Sequence, residues 1–163
     1  MEGIFSISKN FDKGVTVSFD DGKFWSFNFA APTYDAATNT NNGNELTVGV
    51  YDQATRFATN SPTKPGLDFS GNGRGNNTLG GWFDVLEIVY GQNNDVLQFA
   101  VDFRQFDGHE DMSGPSTYGS LRINSDIPVN LVPIPGTVIF FASGLTMLVG
   151  ARVTKRNLTS HSA

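Results

Sequence analysis

The chain has 163 residues, a formal net charge of −5 and no cysteine. This length supports one domain with a core of its own, and the lack of cysteine excludes disulfides and thiol chemistry. The charge is uneven, because residues 1–129 hold 8 basic and 16 acidic residues whereas residues 130–163 hold three basic residues and no acid. An acidic body disfavours contact with a phosphate backbone, so we expect no nucleic-acid partner.

Residues 1–129 show the patterns of an all-β domain. Apolar and polar residues alternate over residues 15–19 and 25–29, which is the period of a half-buried strand. Further strands are predicted at 46–51, 82–90, 96–104 and 118–124. The turn-forming stretch GQNND, Gly91–Asp95, predicts a hairpin between the strands on either side of it.

Long polar loops separate these strands, at Ala31–Asn44, Asn60–Gly66 and Asp107–Ser116. No stretch of the body has a helical period. Several short strands joined by such loops are typical of two sheets packed face to face. We therefore predict that residues 1–129 form an antiparallel β-sandwich or jelly-roll-like domain.

The chain beyond this domain changes character. Leu131–Ala151 is 21 residues long and carries no charge, and basic residues follow it. About 20 apolar residues span a bilayer as a helix, and a basic cluster after the span favours a cytoplasmic end. We predict one transmembrane helix at 136–151 and a basic cytoplasmic tail at 152–163. The alternative is that this stretch is a buried helix or strand of the β-domain. It fits less well, because an ordinary helix of a soluble domain has one polar face and this stretch has none.

A short proline motif at the start of the uncharged stretch consists of Val132, Pro133, Ile134 and Pro135. The basic end consists of Arg152, Lys155 and Arg156. With these features the tail resembles a bacterial sorting signal of the PEP-CTERM type, in its Val-Pro-Leu-Pro variant. The resemblance implies processing by an exosortase-type membrane enzyme and a place in the envelope of a Gram-negative bacterium, at the cell surface or outside the cell after processing. Many carriers of this signal come from polysaccharide producers, so exopolysaccharide is a further expected partner.

The body resembles a group of small secreted bacterial proteins of unassigned function, through stretches such as WSFNFAAP and PGLDFSGNGRGNNTLGGWFDVLE. Members carry one cysteine after Gly-Arg-Gly and another in a later loop. Asn76 and the Asp107–Met112 region take these places here, so we expect no crosslink between the two loops. The resemblance also implies a secretion signal, which the first 14 residues lack. We therefore expect sequence before Met1 and an unpaired strand edge near Ile4–Ser8.

Calcium is one candidate ligand of the body. Asp68, Ser70, Asn72 and Gly73 fit the opening of a loop that binds calcium through oxygen atoms. Leu79 stands where the bidentate acid of such a loop belongs. The alternative, a glycine-rich turn that leads into the strand at Trp82, is favoured for this reason.

Catalytic groups are sparse in the sequence. His109, Glu110 and Asp111 are consecutive, so on an extended chain they point in different directions, and a solvated loop is favoured over a metal site. Carboxylates of the kind that glycoside hydrolases pair occur at Asp84, Glu87 and Asp102. A small domain with 16 acids brings such pairs together by chance. We expect no enzymatic activity and no obligatory cofactor.

Sugar binding is the remaining candidate. Trp25, Trp82, Tyr51 and Tyr90 could stack on sugar rings if they are exposed, whereas aromatic residues in alternating strands more often form the core. Together with the tail, these observations predict a structural or adhesive protein of the cell surface or extracellular matrix. The alternative is a carbohydrate-binding module, with calcium assisting in one version of it.

Overall fold

A computed structural model describes residues 3–93 and 95–129 of the chain. These residues form eight β-strands, and no helix occurs among them. The strands are β1 (Ile4–Lys9), β2 (Val15–Asp20), β3 (Phe24–Ala30), β4 (Gly49–Arg56), β5 (Gly66–Gly71), β6 (Leu79–Tyr90), β7 (Val96–Asp107) and β8 (Ser116–Ile123). The predicted all-β class is confirmed for this part of the chain.

The predicted features of the tail all fall beyond these residues. The proline motif at 132–135, the transmembrane helix at 136–151 and the basic residues from Arg152 onward lie outside the described ranges. Within residues 3–93 and 95–129, no helix has the length and apolar character needed to cross a membrane. The membrane anchor therefore stays a prediction from sequence.

All eight strands belong to one mixed sheet, in the order β1-β2-β3-β5-β4-β6-β7-β8. β4 and β5 run parallel, and the other neighbours are antiparallel. In place of the predicted sandwich of two sheets, a single sheet curls into a half-barrel. The curl brings β1 and β5 into contact with β7 across the concave face. Because strands twist in one sense, a long sheet can curl in this way and enclose a core without a second sheet.

Phenylalanine side chains fill the concave face. Phe29 and Phe83 are fully buried, and their ring centres lie 5.3 Å apart. The strand register places Val17 opposite Phe27, and Phe27 opposite Phe69. Alternate residues of a strand point to the same face, so the alternation in the sequence correctly located β2 and β3.

Several strands differ from the sequence prediction in their ends, and one strand was not predicted. The strand predicted at 46–51 begins later, at Gly49, although Leu46 is buried. β5 was not predicted, because its residues were assigned to a candidate calcium loop. β5 ends in a tight turn in which Asn72 (φ 48°) and Gly73 (φ 73°) both adopt the left-handed conformation, as a type I′ hairpin turn requires. This turn is the glycine-rich alternative to the calcium loop.

The half-barrel is open between its two edge strands. β1 has a single neighbour in the described sheet, so the edge predicted near Ile4–Ser8 is present. Phe5 of β1 lines a cleft of about 440 Å³, and Leu121 and Ile123 of β8 line it from the other side. The two edges thus approach each other without pairing into a closed barrel.

Residues 125–129 follow β8 and are called the exit segment below. Arg122 donates to the carbonyls of Ile127 and Pro128 at 3.1 and 3.3 Å. The same guanidinium forms a 2.8 Å ion pair with Asp102, and about nine-tenths of each side chain is buried. A buried charge pair therefore holds the segment with which the described domain ends.

Candidate functional site

The four aromatic residues considered for stacking do not share one surface. Trp25 lies on the concave face, whereas Trp82 alternates with core residues and lies on the convex face, 6.2 Å from the ring of Tyr118. Tyr51 stacks on a core phenylalanine at 4.8 Å. The hydroxyl of Tyr90 donates to a backbone carbonyl at 2.9 Å. Of these residues, Trp25 is the one that lines a polar cleft.

This cleft has a volume of about 210 Å³ and lies at an end of the concave face. Its apolar wall is formed by Trp25 and Phe69, whose rings stack with their centres 5.3 Å apart. Its polar wall carries the side chains of Arg74, Asn76 and Asp107. A stacked aromatic wall beside a few convergent polar groups is the usual composition of a small-ligand site. We call it the Trp25 cleft.

Local backbone structure places the walls of the Trp25 cleft. Trp25 is paired with Gly71, and a Cβ atom at Gly71 would come within 2.8 Å of the indole ring. The glycine therefore leaves the space that the indole occupies. The turn at Asn72–Gly73, closed by two 2.8 Å hydrogen bonds between Gly71 and Arg74, returns the chain so that Arg74 and Asn76 reach the cleft.

Gln105 joins the two walls. Its side chain is 1% exposed, accepts a hydrogen bond from the N–H of Phe69 at 2.8 Å and donates to the Phe69 carbonyl at 3.1 Å. These bonds tie β5 to β7 across the concave face. A buried amide must find such partners, so Gln105 fixes the distance between the apolar wall and β7.

The carboxylate of Asp107 is held by two donors at one oxygen. Asn76 donates to Oδ1 at 2.7 Å, and Gln105 donates to the same atom at 3.3 Å. Within residues 3–93 and 95–129, no hydrogen bond falls on Oδ2 of Asp107, and the Arg74 guanidinium forms no ion pair. The Trp25 cleft thus presents a fixed acceptor and a charged donor that a ligand can use.

The hydrogen bond between Asn76 and Asp107 joins the chain that follows β5 to the end of β7. It is a polar contact between two places at which the chain has no cysteine.

The residues of the candidate calcium loop are divided between a strand and the turn that follows it. Asp68 and Ser70 lie on β5, and Asn72 lies in the turn after it. The carboxylate of Asp68 is 3.9 Å from Nε of Arg56, and burial raises its pKa against the opposing effect of that arginine. No cluster of three metal-ligating acids, histidines or cysteines occurs in the part of the chain that the structure describes. Calcium takes about six to eight oxygen ligands, more than Asp68, Ser70 and Asn72 supply, so calcium binding here stays a prediction from sequence.

His109, Glu110 and Asp111 lie exposed in the loop between β7 and β8. The hydroxyl of Ser113 donates to Asp111 at 2.8 Å and lies 3.3 Å from Nδ1 of His109. The donations from the Ser113 hydroxyl and backbone N–H lower the pKa of Asp111. Serine stands between the other two groups, whereas a catalytic triad needs histidine in the middle. The hydrogen bonds of Ser113 therefore close the loop around Asp111.

The candidate carboxylates lie on the convex side of the hairpin. Asp84 and Asp102 are directly opposite each other on β6 and β7. Asp102 is occupied by the ion pair with Arg122, and Glu87 follows a bulge in the same ladder. A glycoside hydrolase needs two carboxylates that flank one cleft. These three residues do not line the Trp25 cleft.

The sequence analysis identified Trp25 from its residue type, but it did not identify the polar wall of the Trp25 cleft. One signal was present: Gln105 continues the inward positions of β7 after Phe103, so a polar side chain stands where the pattern calls for a core residue. Comparisons with protein-family models, curated proteins and solved structures each found no match.

Proposed function

We propose that the chain is an exported envelope protein whose β-domain serves cell-surface structure or adhesion and whose C-terminal signal directs processing or anchoring. The observation that carries this proposal is the tail. It consists of 21 uncharged residues, Leu131–Ala151, placed between an acidic body and a basic end, and the VPIP motif lies at their start. Such an order is typical of a stop-transfer segment with a cytoplasmic end.

The described domain supports this proposal through the way it ends. Arg122 fixes the exit segment by its bonds to Ile127 and Pro128. Only Asn130 and Leu131 stand between Val129 and the proline motif in the sequence. A processing enzyme that recognises Val132–Pro135 would therefore act just beyond a folded, fixed end of the domain.

Membrane extraction tests the anchor. The complete reading frame is expressed in its native host, and membranes are washed with alkaline carbonate. Leu145→Arg places a charge near the middle of the span, which costs about 3 kcal/mol of insertion free energy, so we expect the variant to leave the membrane fraction. Leu158→Arg, outside the span, is the matched control and should behave as the wild type. Recovery of the wild type from the cytosol with its tail intact would overturn the proposal.

Mass spectrometry of the mature C-terminus separates processing from permanent anchoring. A chain that ends near residues 132–136 indicates cleavage at the proline motif, and Pro133→Ala should then prevent it. Pro128→Ala, in the exit segment, is the control for a general effect of losing a proline. Retention of residues 152–163 in every form shows an anchor without cleavage.

A second function, carbohydrate binding, is favoured by one specific observation. The Trp25 cleft combines a stacked indole with the polar side chains of Asn76 and Asp107, which a part-buried hydrogen bond holds together. Aromatic rings offer apolar area at their faces, while polar groups at the edge fix orientation. Pull-down of the full-length protein on insoluble polysaccharides tests this function, and retention on none of them counts against it.

A further inference from the structure

We infer that the Trp25 cleft binds a single neutral sugar ring of a polysaccharide, with Trp25 as the stacking surface and Asp107 as the acceptor for its hydroxyl groups. This inference rests on the carbohydrate-binding function proposed above and makes it specific to one site and one ligand class. It is carried by the size of the cleft, the geometry of its two walls and the charge around it.

The size of the cleft limits the ligand. Its volume of about 210 Å³ is below the roughly 300–1,000 Å³ of sites for drug-sized molecules. One six-membered ring with its hydroxyl groups suits this volume better than a disaccharide does. Because the cleft is open to solvent at an end of the concave face, the ring can be one unit of a longer chain.

The two walls match the two kinds of surface on a sugar. The apolar wall presents an indole that is backed by Phe69 at 5.3 Å, and Phe69 is itself backed by Phe27 at 4.7 Å. This stack holds Trp25 in place, so little side-chain freedom is lost when a ring binds. The axial C–H groups of a pyranose provide an apolar face for such a surface.

The polar wall addresses the hydroxyl groups. Oδ2 of Asp107 can accept from one hydroxyl or from two neighbouring ones, because a carboxylate oxygen has two lone pairs. Arg74 lines the same cleft, and its guanidinium N–H groups can donate to hydroxyl oxygens. The orientation of the carboxylate is set before binding by Asn76 and Gln105, which lowers the cost of ordering the site.

Charge decides between neutral and acidic sugars. Arg74 and Asp107 balance each other at the cleft. The surrounding residues 1–129 carry 8 basic and 16 acidic residues, and this excess negative charge repels polyanions. A neutral hexose polymer therefore fits the site better than a polymer of uronic acids.

Binding is measured by tryptophan fluorescence on the full-length chain in a sugar-free zwitterionic detergent, because alkyl glycosides would compete. The background is Trp82→Phe, which leaves Trp25 as the one tryptophan of the chain. The probes are the methyl glycosides of glucose, galactose and mannose, a soluble neutral glucan, and alginate as the acidic polymer. We expect a Kd of about 1 mM for one of the neutral glycosides, a value in keeping with few contacts, and no binding of alginate.

Two site variants and one control assign the signal to the cleft. Trp25→Ala, followed by calorimetry in the otherwise native chain, should raise the Kd about tenfold or more. Asp107→Asn keeps an oxygen for Asn76 and Gln105 but replaces Oδ2 by a donor, so it should weaken binding by a similar factor with an unchanged melting temperature. Trp82→Ala, on the convex face, should leave the Kd unchanged.

The outcomes separate this inference from the function on which it rests. Binding of a neutral glycoside that survives Trp25→Ala and Asp107→Asn overturns the cleft assignment and leaves carbohydrate binding standing elsewhere on the domain. Binding of alginate alone overturns the neutral class. If none of the probes binds and no polysaccharide retains the protein, carbohydrate binding itself is wrong, while the proposal of export and anchoring is untouched.

Discussion

Replacing Arg122 by alanine tests how the domain holds its own end. The guanidinium makes one 2.8 Å ion pair with Asp102 and donates to four main-chain carbonyls, those of Val101, Leu121, Ile127 and Pro128. About nine-tenths of each side chain in the ion pair is buried. The alanine variant removes all of these bonds and leaves the Asp102 carboxylate without a counter-charge.

The expected loss of stability differs between the two partners of the ion pair. Removing one partner of a buried ion pair costs about 3–5 kcal/mol, because the remaining charge stays desolvated. Asp102→Ala instead leaves Arg122 with its four carbonyl acceptors, so the loss is nearer that of one charged hydrogen bond, about 1.5–3 kcal/mol. We expect Arg122→Ala to be the more damaging change, and to remove a large share of a total stability of about 5–15 kcal/mol.

Urea unfolding of the full-length chain in detergent, followed by circular dichroism, gives the free energies of unfolding. Arg104→Ala is the matched control, since Arg104 is an exposed arginine of β7 with one side-chain hydrogen bond to Ser116, and it should cost about 1 kcal/mol or less. Proteinase K supplies a second readout, because release of Ile127 and Pro128 should speed cleavage in residues 125–129. A loss below about 1 kcal/mol for Arg122→Ala, or a larger loss for Asp102→Ala, would refute this reasoning.

The remaining predictions concern the core, a turn and one tyrosine. Phe29→Ala should lower the free energy of unfolding by about 3–5 kcal/mol, since it opens a cavity at the centre of the phenylalanine core. Phe24→Ala, at a ring that is 57% exposed, should change the same quantity by no more than about 0.5 kcal/mol. Asn72→Ala should cost about 1 kcal/mol in urea unfolding because the residue has a left-handed backbone, whereas Asn72→Gly should be tolerated. Burial raises the pKa of Tyr90 above its usual value of 10, so its contribution to stability is complete below pH 10 and is lost as the pH rises toward the raised pKa. Tyr90→Phe should therefore show a smaller loss of melting temperature above pH 10 than the wild type does, and an equal loss would exclude this role.

The alternation of apolar and polar residues predicted the strands that have one face in the core and the other outside it. Val17 and Phe29 point to the core, while Thr16 and Asn28 alternate with them and bond to each other at 2.7 Å on the other face. β5 alternates in the same way over only four residues, with Leu67 and Phe69 on the core face and Asp68 and Ser70 on the other, and these residues were assigned to a candidate calcium loop instead. Its place in the sheet comes from the long-range pairing of Phe69 with Phe27, and no local pattern contains that information.

The single curled sheet could not be predicted from the sequence for a related reason. A sandwich and a half-barrel both consist of alternating strands, and they differ in which strands are neighbours. β5 lies between β3 and β4 and is parallel to β4, although β4 comes before it in the sequence. This order depends on the path of the connection that leads from β4 into β5 at Gly66. Composition and periodicity do not specify that path.

The Trp25 cleft, like the strand order, could not be predicted in full from the sequence. Its indole was found by residue type alone, but Arg74 and Asn76 arrive through the tight turn after β5, and Asp107 arrives on β7. Their convergence depends on the pairing of Trp25 with Gly71 and on the hydrogen bonds that Gln105 makes to Phe69. Each link is a tertiary contact, so the pattern of each separate stretch of sequence does not show that these residues meet.

The positions of the cleft and of the exit segment make the two proposed functions compatible. Thr117 of the cleft and Arg122 of the ion pair both lie on β8, five residues and therefore about 17 Å apart along the strand. Asp107 and Asp102 repeat this separation on β7. The chain thus leaves the domain at one end of these two strands, whereas the cleft opens at the other. Cleavage at residues 132–136 would remove sequence that follows the exit segment and would leave every residue of the cleft in place, so sugar binding should be the same before and after processing.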